Sequence, residues 1–382
     1  MSAIRESWPF REHEPRRVVL KIGSNVLAAP GGGLNPARMA SLCASIAALI
    51  ARGVEVIVVS SGAVAAGRGM LGLKSRPTEL PQLQAVAAVG QSALMDTWGR
   101  ALAPHKLVAA QLLLTRDDMD DRRRYLNMRH ALIALVEHKI VVPIINENDT
   151  VTVDELKFGD NDMLSAMVAA KLDSDLLIIL SNVPGLMTGN PKEDPNATVI
   201  PFVKEITPDV EALVSGKISS FGTGGMATKL QAARHATQFG VSVALADGSV
   251  DGQLERIVAG TFTGTFFQAR TPRRAGDSRR HWIMARRPSG DIVVDEGAER
   301  ALVVAHKSLL PVGIRATSGQ FHGGDVVRVL SPSGRDLGHG IVNYDRETVE
   351  RIKGRQGDEL PLLLGEVAYT EVIHCDNLVL EH

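Results

Sequence analysis

Apolar runs of strand length recur between residues 18 and 180 of this 382-residue chain, and segments of helical periodicity separate them. Most of the runs are nearly continuously apolar, which is typical of strands buried on both faces. Strands that alternate with helices at this spacing favour a mainly parallel sheet. The sequence therefore predicts an α/β fold, with a mainly parallel open sheet sandwiched by helices. The predicted strands are residues 18–24, 54–59, 107–114, 139–145 and 175–180.

A change of pattern marks a second domain. Residues 268–287 contain seven arginines together with Pro272 and Gly276, and from Trp282 onward short strands and turns replace the alternation of strands and helices. We interpret the basic stretch as a solvated linker and the region after it as a small β-rich domain. The predicted organisation is a disordered arm at 1–15, the α/β domain at 16–265, the linker at 266–282 and the β-rich domain at 283–382.

The composition excludes several classes of protein. A net charge of −1 gives no excess that would attract nucleic acid or a membrane surface. No apolar run approaches the roughly 20 residues that span a bilayer, and residues 1–17 lack the apolar core of a signal peptide. Cys43 and Cys375 fall in different predicted domains, which indicates free thiols in a reducing compartment. The lack of a signal peptide and the free thiols lead us to expect a cytoplasmic protein. Histidines and cysteines show no zinc-binding spacing, so we expect no structural metal.

The strand predicted at 139–145 ends in a cluster of polar residues. Asn146-Glu147-Asn148-Asp149-Thr150 follow it directly, and Gly159-Asp160-Asn161-Asp162 come a short step later. Ligands of open α/β sheets bind at the carboxyl ends of the strands, and polar groups beside a buried strand cost free energy unless a partner satisfies them. A polar ligand is one interpretation of the cluster. A loop of turn-forming residues is the other.

Three further segments have features that suit an anion. Lys21 closes the first strand, where it either needs a counter-charge or reaches solvent as a surface lysine. Ser60-Ser61-Gly62-Ala63 closes the second strand, and it either lets backbone N–H groups approach an anion or caps a helix. The segment Gly222–Lys229 opens a helix, whose free N–H groups and dipole suit phosphate, although a glycine-rich linker has the same composition.

Together these segments contain the groups needed to transfer a phosphoryl group, because such catalysis consists mostly of positioning and charge neutralisation. If the acceptor is a carboxylate, it is already ionised at neutral pH, since its free pKa is about 4, and no general base is required. The remaining task is to bring an anion up to a polyanion, which positive groups on both sides would relieve. Lys21 and Lys229 fit that task, and Asp162 could hold both ammonium groups.

The same motifs resemble those of bacterial glutamate 5-kinases, within the amino acid kinase family. The resemblance covers nearly the whole chain after the arm, including a carboxy-terminal region similar to a PUA domain. It implies ATP-dependent phosphorylation of the L-glutamate γ-carboxylate to L-glutamyl 5-phosphate, the first step of proline biosynthesis, with feedback inhibition by proline. Magnesium is implied as the partner of ATP, and the sequence shows no dedicated protein cage for it. A homo-oligomer and a glutamyl phosphate reductase partner are further expectations.

The resemblance also implies roles for individual residues. Glutamate would be bound by Ser61, Asp149 and Asn161, and transfer would be assisted by Lys21, Lys229 and Asp162. The family commonly has Thr-Asp where this chain has Ser181-Asn182, so the hydroxyl is kept but a charge is lost at the nucleoside end of ATP. The implied nucleotide-binding residues are Lys21, Ser181, Asn182, Thr223, Gly224, Gly225, Met226, Ala227, Thr228 and Lys229.

Two alternatives stand beside this interpretation. One is a kinase of the same fold that acts on aspartate, acetylglutamate, carbamate or a nucleoside monophosphate, and the PUA-like region favours the glutamate 5-kinases over it. The other is an RNA-binding or RNA-modifying protein, because PUA domains are often RNA readers. Residues 281–382 contain 11 basic and 15 acidic residues, a balance that disfavours binding to a phosphate backbone. Only the arginine-rich linker favours RNA.

Overall fold

The computed structural model describes residues 3–29, 32–152, 161–191, 193–214, 225–270, 283, 288–365 and 369–380. The chain divides into two compact units, residues 1–273 and 274–382. The helices and strands of the first unit are α1 Ala3–Ser7, β1 Arg17–Ile22, α2 Ser24–Leu27, α3 Pro36–Ala51, β2 Glu55–Ser60, α4 Ala63–Met70, α5 Leu80–Leu102, β3 Val108–Leu114, α6 Arg116–Asp120, α7 Arg122–Glu137, β4 Val141–Glu147, α8 Asn161–Lys171, β5 Leu176–Ser181, β6 Phe202–Val203, α9 Pro208–Ala212, α10 Met226–Gln238, β7 Ser242–Asp247, α11 Gln253–Val258 and β8 Gly264–Phe267.

The first unit is built on an eight-stranded sheet with the order β3-β4-β2-β1-β5-β7-β8-β6. Its strands from β3 to β7 run parallel, while β8 is antiparallel to β7. This confirms the α/β fold with a mainly parallel open sheet. Because the carboxyl ends of β4, β2, β1 and β5 lie side by side, the polar residues that close these strands share one edge of the sheet.

The two faces of the sheet are covered by separate apolar layers, and the alternation of side chains along β1 shows which residue enters which layer. Val18, Leu20 and Ile22 point into the layer that contains α3 and α5. Val19 points into the opposite layer, which contains α7, α8 and α10. Lys21 follows Val19 by two residues, so it emerges on the face covered by α8 and α10. The side chain of Lys21 can therefore meet side chains of α8 and α10.

Sequence signals explain the local structure of the first helices. Asn35 caps α3 by accepting a hydrogen bond from the Arg38 backbone N–H at 3.1 Å, and Pro36 occupies the first turn, where a missing N–H costs nothing. Helices α4 and α5 pack closely because glycines lie at their contact. A Cβ atom on Gly90 would lie 1.8 Å from the Ala63 carbonyl oxygen. Helix α4 starts directly after β2, so this packing fixes the edge of the sheet at Ser61.

The amino-terminal residues differ from the prediction of a disordered arm, which is wrong for residues 3–10. Trp8 is buried, its indole Nε1 donates to the Val258 carbonyl at 3.1 Å, and its ring packs against Phe262 and Phe266. Gly260, in a left-handed conformation with φ of 68°, lies against the indole, where a Cβ would come within 2.6 Å. Aromatic burial therefore orders a segment whose charged composition suggested disorder.

The second unit contains a five-stranded sheet with the order β10-β9-β11-β12-β13 and its own apolar core. This is the small β-rich domain that the sequence predicts. The predicted start of the linker at 266 is wrong, because Phe266 and Phe267 belong to β8 and are buried. Most of that linker, residues 271–282, lies outside the described residues. The elements of the second unit are β9 Gly290–Val294, α12 Glu296–Val303, β10 Ile314–Gly319, β11 Val326–Leu330, β12 Asp336–Ile341, α13 Arg346–Ile352, α14 Leu360–Leu364 and β13 Leu378–Leu380.

The cysteines and the long helices bear on two expectations drawn from composition. Cys43 and Cys375 are free thiols. Burial raises the pKa of the Cys43 thiol to about 12, so that thiol stays protonated. Helix α5 has 23 residues, and neither it nor any other helix in the described part of the chain combines the length and apolar character needed to cross a bilayer.

Candidate active site

Two lysines and one aspartate from three different elements meet on one face of the sheet. Lys21 comes from β1, Asp162 is the second residue of α8, and Lys229 lies in the first turns of α10. The Lys21 ammonium forms an ion pair with Oδ1 of Asp162, and Nζ of Lys229 lies 3.1 Å from Oδ2 of the same carboxylate. Their exposed fractions are 3%, 0% and 5%. A single buried carboxylate therefore holds two buried ammonium groups.

The charge of this cluster has a chemical consequence. The three side chains together carry one net positive charge, and charges removed from water need compensation. Thr228 adds a neutral contact, since its hydroxyl lies 3.1 Å from Oδ2 of Asp162 and 2.9 Å from the Gly225 carbonyl oxygen. Because Asp162 is shared between two cations, the arrangement suits a further anion that lies between or beside them.

The amino terminus of α10 adds a second feature that suits an anion. Gly225 precedes this 13-residue helix in an extended conformation, and no side chain caps its first turn among the described residues. The N–H groups of the first turn, with the positive end of the helix dipole, therefore face the region in front of Lys229. Met226 and Ala227 lie in this turn, whereas Thr223 and Gly224 are outside the described residues.

The end of β5 lies beside the end of β1 and carries the predicted contact to the nucleoside. Ser181 is buried as the last residue of β5, and its hydroxyl lies 3.4 Å from Oδ1 of the exposed Asn182. Gly23 follows β1, and its backbone N–H donates to the Leu180 carbonyl at 3.1 Å. A Cβ on Gly23 would lie 3.9 Å from Nζ of Lys21, so glycine keeps the approach to that ammonium open.

A group of amide and hydroxyl side chains lies on the other side of Asp162 along the sheet edge. Asn161 donates through Nδ2 to the Ser61 hydroxyl and to Oδ1 of Asn146, both at 2.9 Å. Ser61 follows β2 and Asn146 lies near the end of β4, so α8 connects two strands. Asp149 lies half-buried in the turn after β4. The structure thus brings two of the three predicted glutamate-binding residues, Ser61 and Asn161, into direct contact.

Three residues of α5 also reach this edge, and the sequence reasoning missed them. Gln91 accepts a hydrogen bond from Nδ2 of Asn146 at 2.9 Å, and the Trp98 indole donates to the Ser60 hydroxyl at 3.0 Å. Gln84 donates to the Thr152 carbonyl at 3.1 Å. The three are spaced seven residues apart, so they line one face of the helix. The seven-residue spacing could have shown from the sequence that these side chains share one face of the helix. The alanine-rich composition of α5 obscured it.

The side chains around Asp162 indicate which groups would hold a magnesium ion. The described residues contain no group of three or more histidine, cysteine, aspartate or glutamate side chains that could hold a metal ion. Asp162, the carboxylate nearest the candidate phosphate region, is engaged by two lysines. A magnesium ion at this site would therefore be held mainly by oxygen atoms of a nucleotide rather than by a protein cage.

Comparison with known proteins gives two family matches. The model of the amino acid kinase family matches residues 16–247, and that of the PUA domain matches residues 290–361. The chain is 46% identical over 367 residues to a glutamate 5-kinase of Moorella thermoacetica, covering 96% of each chain. It is 47% identical over 367 residues to a glutamate 5-kinase of Syntrophotalea carbinolica, covering 96% of this chain and 97% of that protein.

Among solved structures, a UMP kinase from Bacillus anthracis matches 68% of this chain and 98% of its own, with a TM-score of 0.48 and 17% sequence identity.

Proposed function

Because the chain belongs to the amino acid kinase family and, within it, to the glutamate 5-kinases, we propose that it transfers the γ-phosphoryl group of ATP to the γ-carboxylate of L-glutamate. The product is L-glutamyl 5-phosphate, and the reaction is the first step of proline biosynthesis. The observation that carries the proposal is the sharing of one buried carboxylate by Lys21 and Lys229. Substrate carboxylate and triphosphate repel each other, and two fixed ammonium groups counter that repulsion.

The chemistry needs no proton acceptor. The side chain of free glutamate has a pKa of about 4.3, so its carboxylate is already a nucleophile at neutral pH. One carboxylate oxygen attacks the γ-phosphorus, the bond from that phosphorus to the bridging oxygen breaks, and ADP leaves with the electron pair. Charge spreads over the transferred group and the leaving oxygen during this step. Lys21 and Lys229 stabilise it, and Asp162 keeps both in position without contacting the reacting atoms.

The nucleotide would lie along the ends of β1 and β5 and the start of α10. The N–H groups of the first turn of α10 and the Lys229 ammonium would bind phosphate oxygens, with Thr223 to Thr228 forming the surrounding segment. Ser181 and Asn182 would contact the nucleoside end. The loss of a negative charge at Asn182 leaves an amide, which both donates and accepts hydrogen bonds. Bound magnesium would supply neutralisation of phosphate charge.

Glutamate would lie on the side of Asp162 where Ser61, Asn146 and Asn161 meet. Ser61 and Asn161 would bind its polar atoms, and the Asp149 carboxylate would pair with its α-ammonium group. Proline has the same α-carboxylate and an amino group, so we also propose that it inhibits by competing for this region. A homo-oligomer, a glutamyl phosphate reductase partner and a cytoplasmic location stay predictions. RNA binding is disfavoured by the acidic balance of residues 281–382.

A substrate panel tests the proposal. The purified protein with MgATP and hydroxylamine should form a hydroxamate, and release ADP, when L-glutamate is present. Aspartate, N-acetylglutamate, carbamate and UMP, each at the same concentration, should support turnover at least about 100-fold lower, since a site built for one set of polar groups rejects ligands that leave them unpaired. Equal turnover with aspartate or N-acetylglutamate would contradict the assignment. Lys229→Met, purified identically, controls for contaminating kinases.

A further inference from the structure

The amide side chains at the sheet edge form a chain of hydrogen bonds with a direction. Nδ2 of Asn146 donates to Oε1 of Gln91, and Oδ1 of Asn146 accepts from Nδ2 of Asn161, both at 2.9 Å. The second hydrogen bond of Asn161 Nδ2 goes to the Ser61 hydroxyl. The central amide, Asn146, therefore uses its nitrogen toward Gln91 and its oxygen toward Asn161. The order along the chain is Gln91, Asn146, Asn161.

The two terminal atoms of this series of hydrogen bonds are buried and have no hydrogen-bond partner among the described residues. One end is Nε2 of Gln91, a donor, and the other is Oδ1 of Asn161, an acceptor. Buried amide groups are normally paired, because leaving one unpaired forfeits its interaction with water. A ligand that satisfies both ends must offer an acceptor near Gln91 and a donor near Asn161. An α-amino acid does so, through its carboxylate and its ammonium group.

The position of this hydrogen-bond chain relative to Lys21 and Lys229 indicates which of the two carboxylates of glutamate lies at Gln91. Asn161 directly precedes Asp162, the residue that holds Lys21 and Lys229, whereas Gln91 is two hydrogen bonds farther away. The carboxylate that receives the phosphoryl group must lie at the lysines. The carboxylate at the far end is therefore the one attached to the α-carbon.

We propose that Gln91 determines specificity for a free α-carboxylate: its Nε2 donates to that carboxylate, while its Oε1 holds Asn146 and, through it, Asn161. The inference rests on the proposed function and adds to it a residue of α5. Helix α5 is itself fixed to the same edge at two other points, where Trp98 binds the Ser60 hydroxyl and Gln84 binds the Thr152 carbonyl. Gln91 therefore projects from a helix that is anchored on both sides of it.

Two substitutions separate the two roles of Gln91. Gln91→Glu keeps an oxygen that accepts from Asn146 but replaces the donor by a charged acceptor, whereas Gln91→Met removes both functions at similar size. The substrates are L-glutamate and L-isoglutamine, its α-amide, which retains the γ-carboxylate but presents an NH₂ group at the α-position. Gln82→Met is the matched control, since Gln82 is exposed on the same helix.

Both substitutions should raise KM for L-glutamate by about 10-fold or more, with KM for ATP changed less than about 2-fold; ten-fold corresponds to 1.4 kcal/mol. In Gln91→Glu the ratio of kcat/KM for isoglutamine to that for glutamate should rise by about 10-fold or more, because the new carboxylate accepts from the amide and repels the α-carboxylate. Gln91→Met should not favour isoglutamine in this way. Gln82→Met should match the wild type.

An unchanged KM for glutamate in Gln91→Met, or equal losses for both substrates in Gln91→Glu, would overturn the proposal. If either variant melts well below the wild type, Gln91→Asn replaces it, since the shorter amide withdraws from the ligand. The rise in melting temperature that L-glutamate produces measures binding independently of turnover. Wild-type protein that binds glutamate but forms no hydroxamate would refute the proposed function alone. Binding that survives Gln91→Met would refute this inference alone.

Discussion

Nζ of Lys229 lies 3.1 Å from Oδ2 of Asp162, and the opposite oxygen of that carboxylate binds Lys21. Each lysine comes from a different layer of the fold, one from the central strand and one from a covering helix. A buried carboxylate that pairs with two cations leaves the group electropositive. The relationship matters because it fixes the spacing of two positive charges before any ligand binds, as catalysis by charge stabilisation requires.

Replacement of Lys229 by methionine should lower kcat far more than it changes KM for glutamate. Methionine keeps the length of the side chain but removes the ammonium group that, in the proposed mechanism, stabilises the transferred phosphoryl group. We expect kcat to fall by about 100-fold or more, as is typical when one preorganised electrostatic group is removed. Steady-state assays with both substrates varied would measure it. A large rise in KM for glutamate with an unchanged kcat would remove the catalytic role.

Asp162→Asn should destabilise the kinase domain as well as inactivate it. The change leaves two buried lysines without their shared carboxylate, and breaking a buried ion pair costs roughly 3–5 kcal/mol. For a domain of this size that corresponds to a fall in Tm of about 10 °C. Asp96→Asn is the control, because the Asp96–Arg100 pair is exposed and worth less than about 1 kcal/mol. Equal Tm values for the two variants would contradict this account.

Asp149→Ala should act mainly on the binding of glutamate. If the Asp149 carboxylate pairs with the substrate's α-ammonium group, its loss should raise KM for glutamate by roughly 10- to 150-fold, since a hydrogen bond to a charged group contributes roughly 1.5–3 kcal/mol. KM for ATP should change little. Glutamate titrations at saturating ATP would measure the effect, and an unchanged KM would show that another group holds the ammonium.

The placement of the lysines was predictable because it depends on short-range periodicity. Apolar runs identified the strands, and the two-residue alternation along β1 puts Lys21 on the same face as Val19. The carboxyl ends of parallel strands share one edge, which brings the residues after β1, β2 and β4 together. Asp162 was predicted to hold both lysines, and its carboxylate lies between them. The functional roles of the site residues stay predictions.

The contacts that could not be predicted depend on residues far apart in sequence. Trp8 is ordered by Phe262 and Phe266, about 250 positions away, and nothing near Trp8 indicates that pocket. Gln91 lies on α5, and its hydrogen bond to Asn146 depends on β4, which lies about 55 positions farther along the chain. Local patterns thus specify elements and the faces of strands. They do not specify which distant side chain completes a hydrogen-bond chain.

His235 makes the stability of the kinase domain depend on pH. Burial and the nearby Lys171 ammonium lower the pKa of this half-buried imidazole below 6.5, so the folded protein favours the neutral ring. Its contribution to stability is therefore full above pH 6.5 and is lost as the pH falls through the folded-state pKa. We expect His235→Gln to reduce the loss of Tm between pH 7.5 and pH 5. His105→Gln, at an exposed position, should not reduce it.

The contact between α4 and α5 predicts opposite effects for two glycine substitutions in one helix. A Cβ on Gly90 would lie 1.8 Å from the Ala63 carbonyl oxygen and 2.3 Å from the Gly67 nitrogen, so Gly90→Ala must separate the helices. We expect a loss of about 3 kcal/mol or more, and a higher KM for glutamate because α4 begins beside Ser61. A Cβ on Gly99 meets nothing within 4 Å, so Gly99→Ala should instead stabilise by about 0.5–1 kcal/mol. Thermal unfolding of both variants measures the difference. If the two changes had the same sign, helix propensity rather than the close contact would govern this packing, and α4 would not be held against α5 by its glycines.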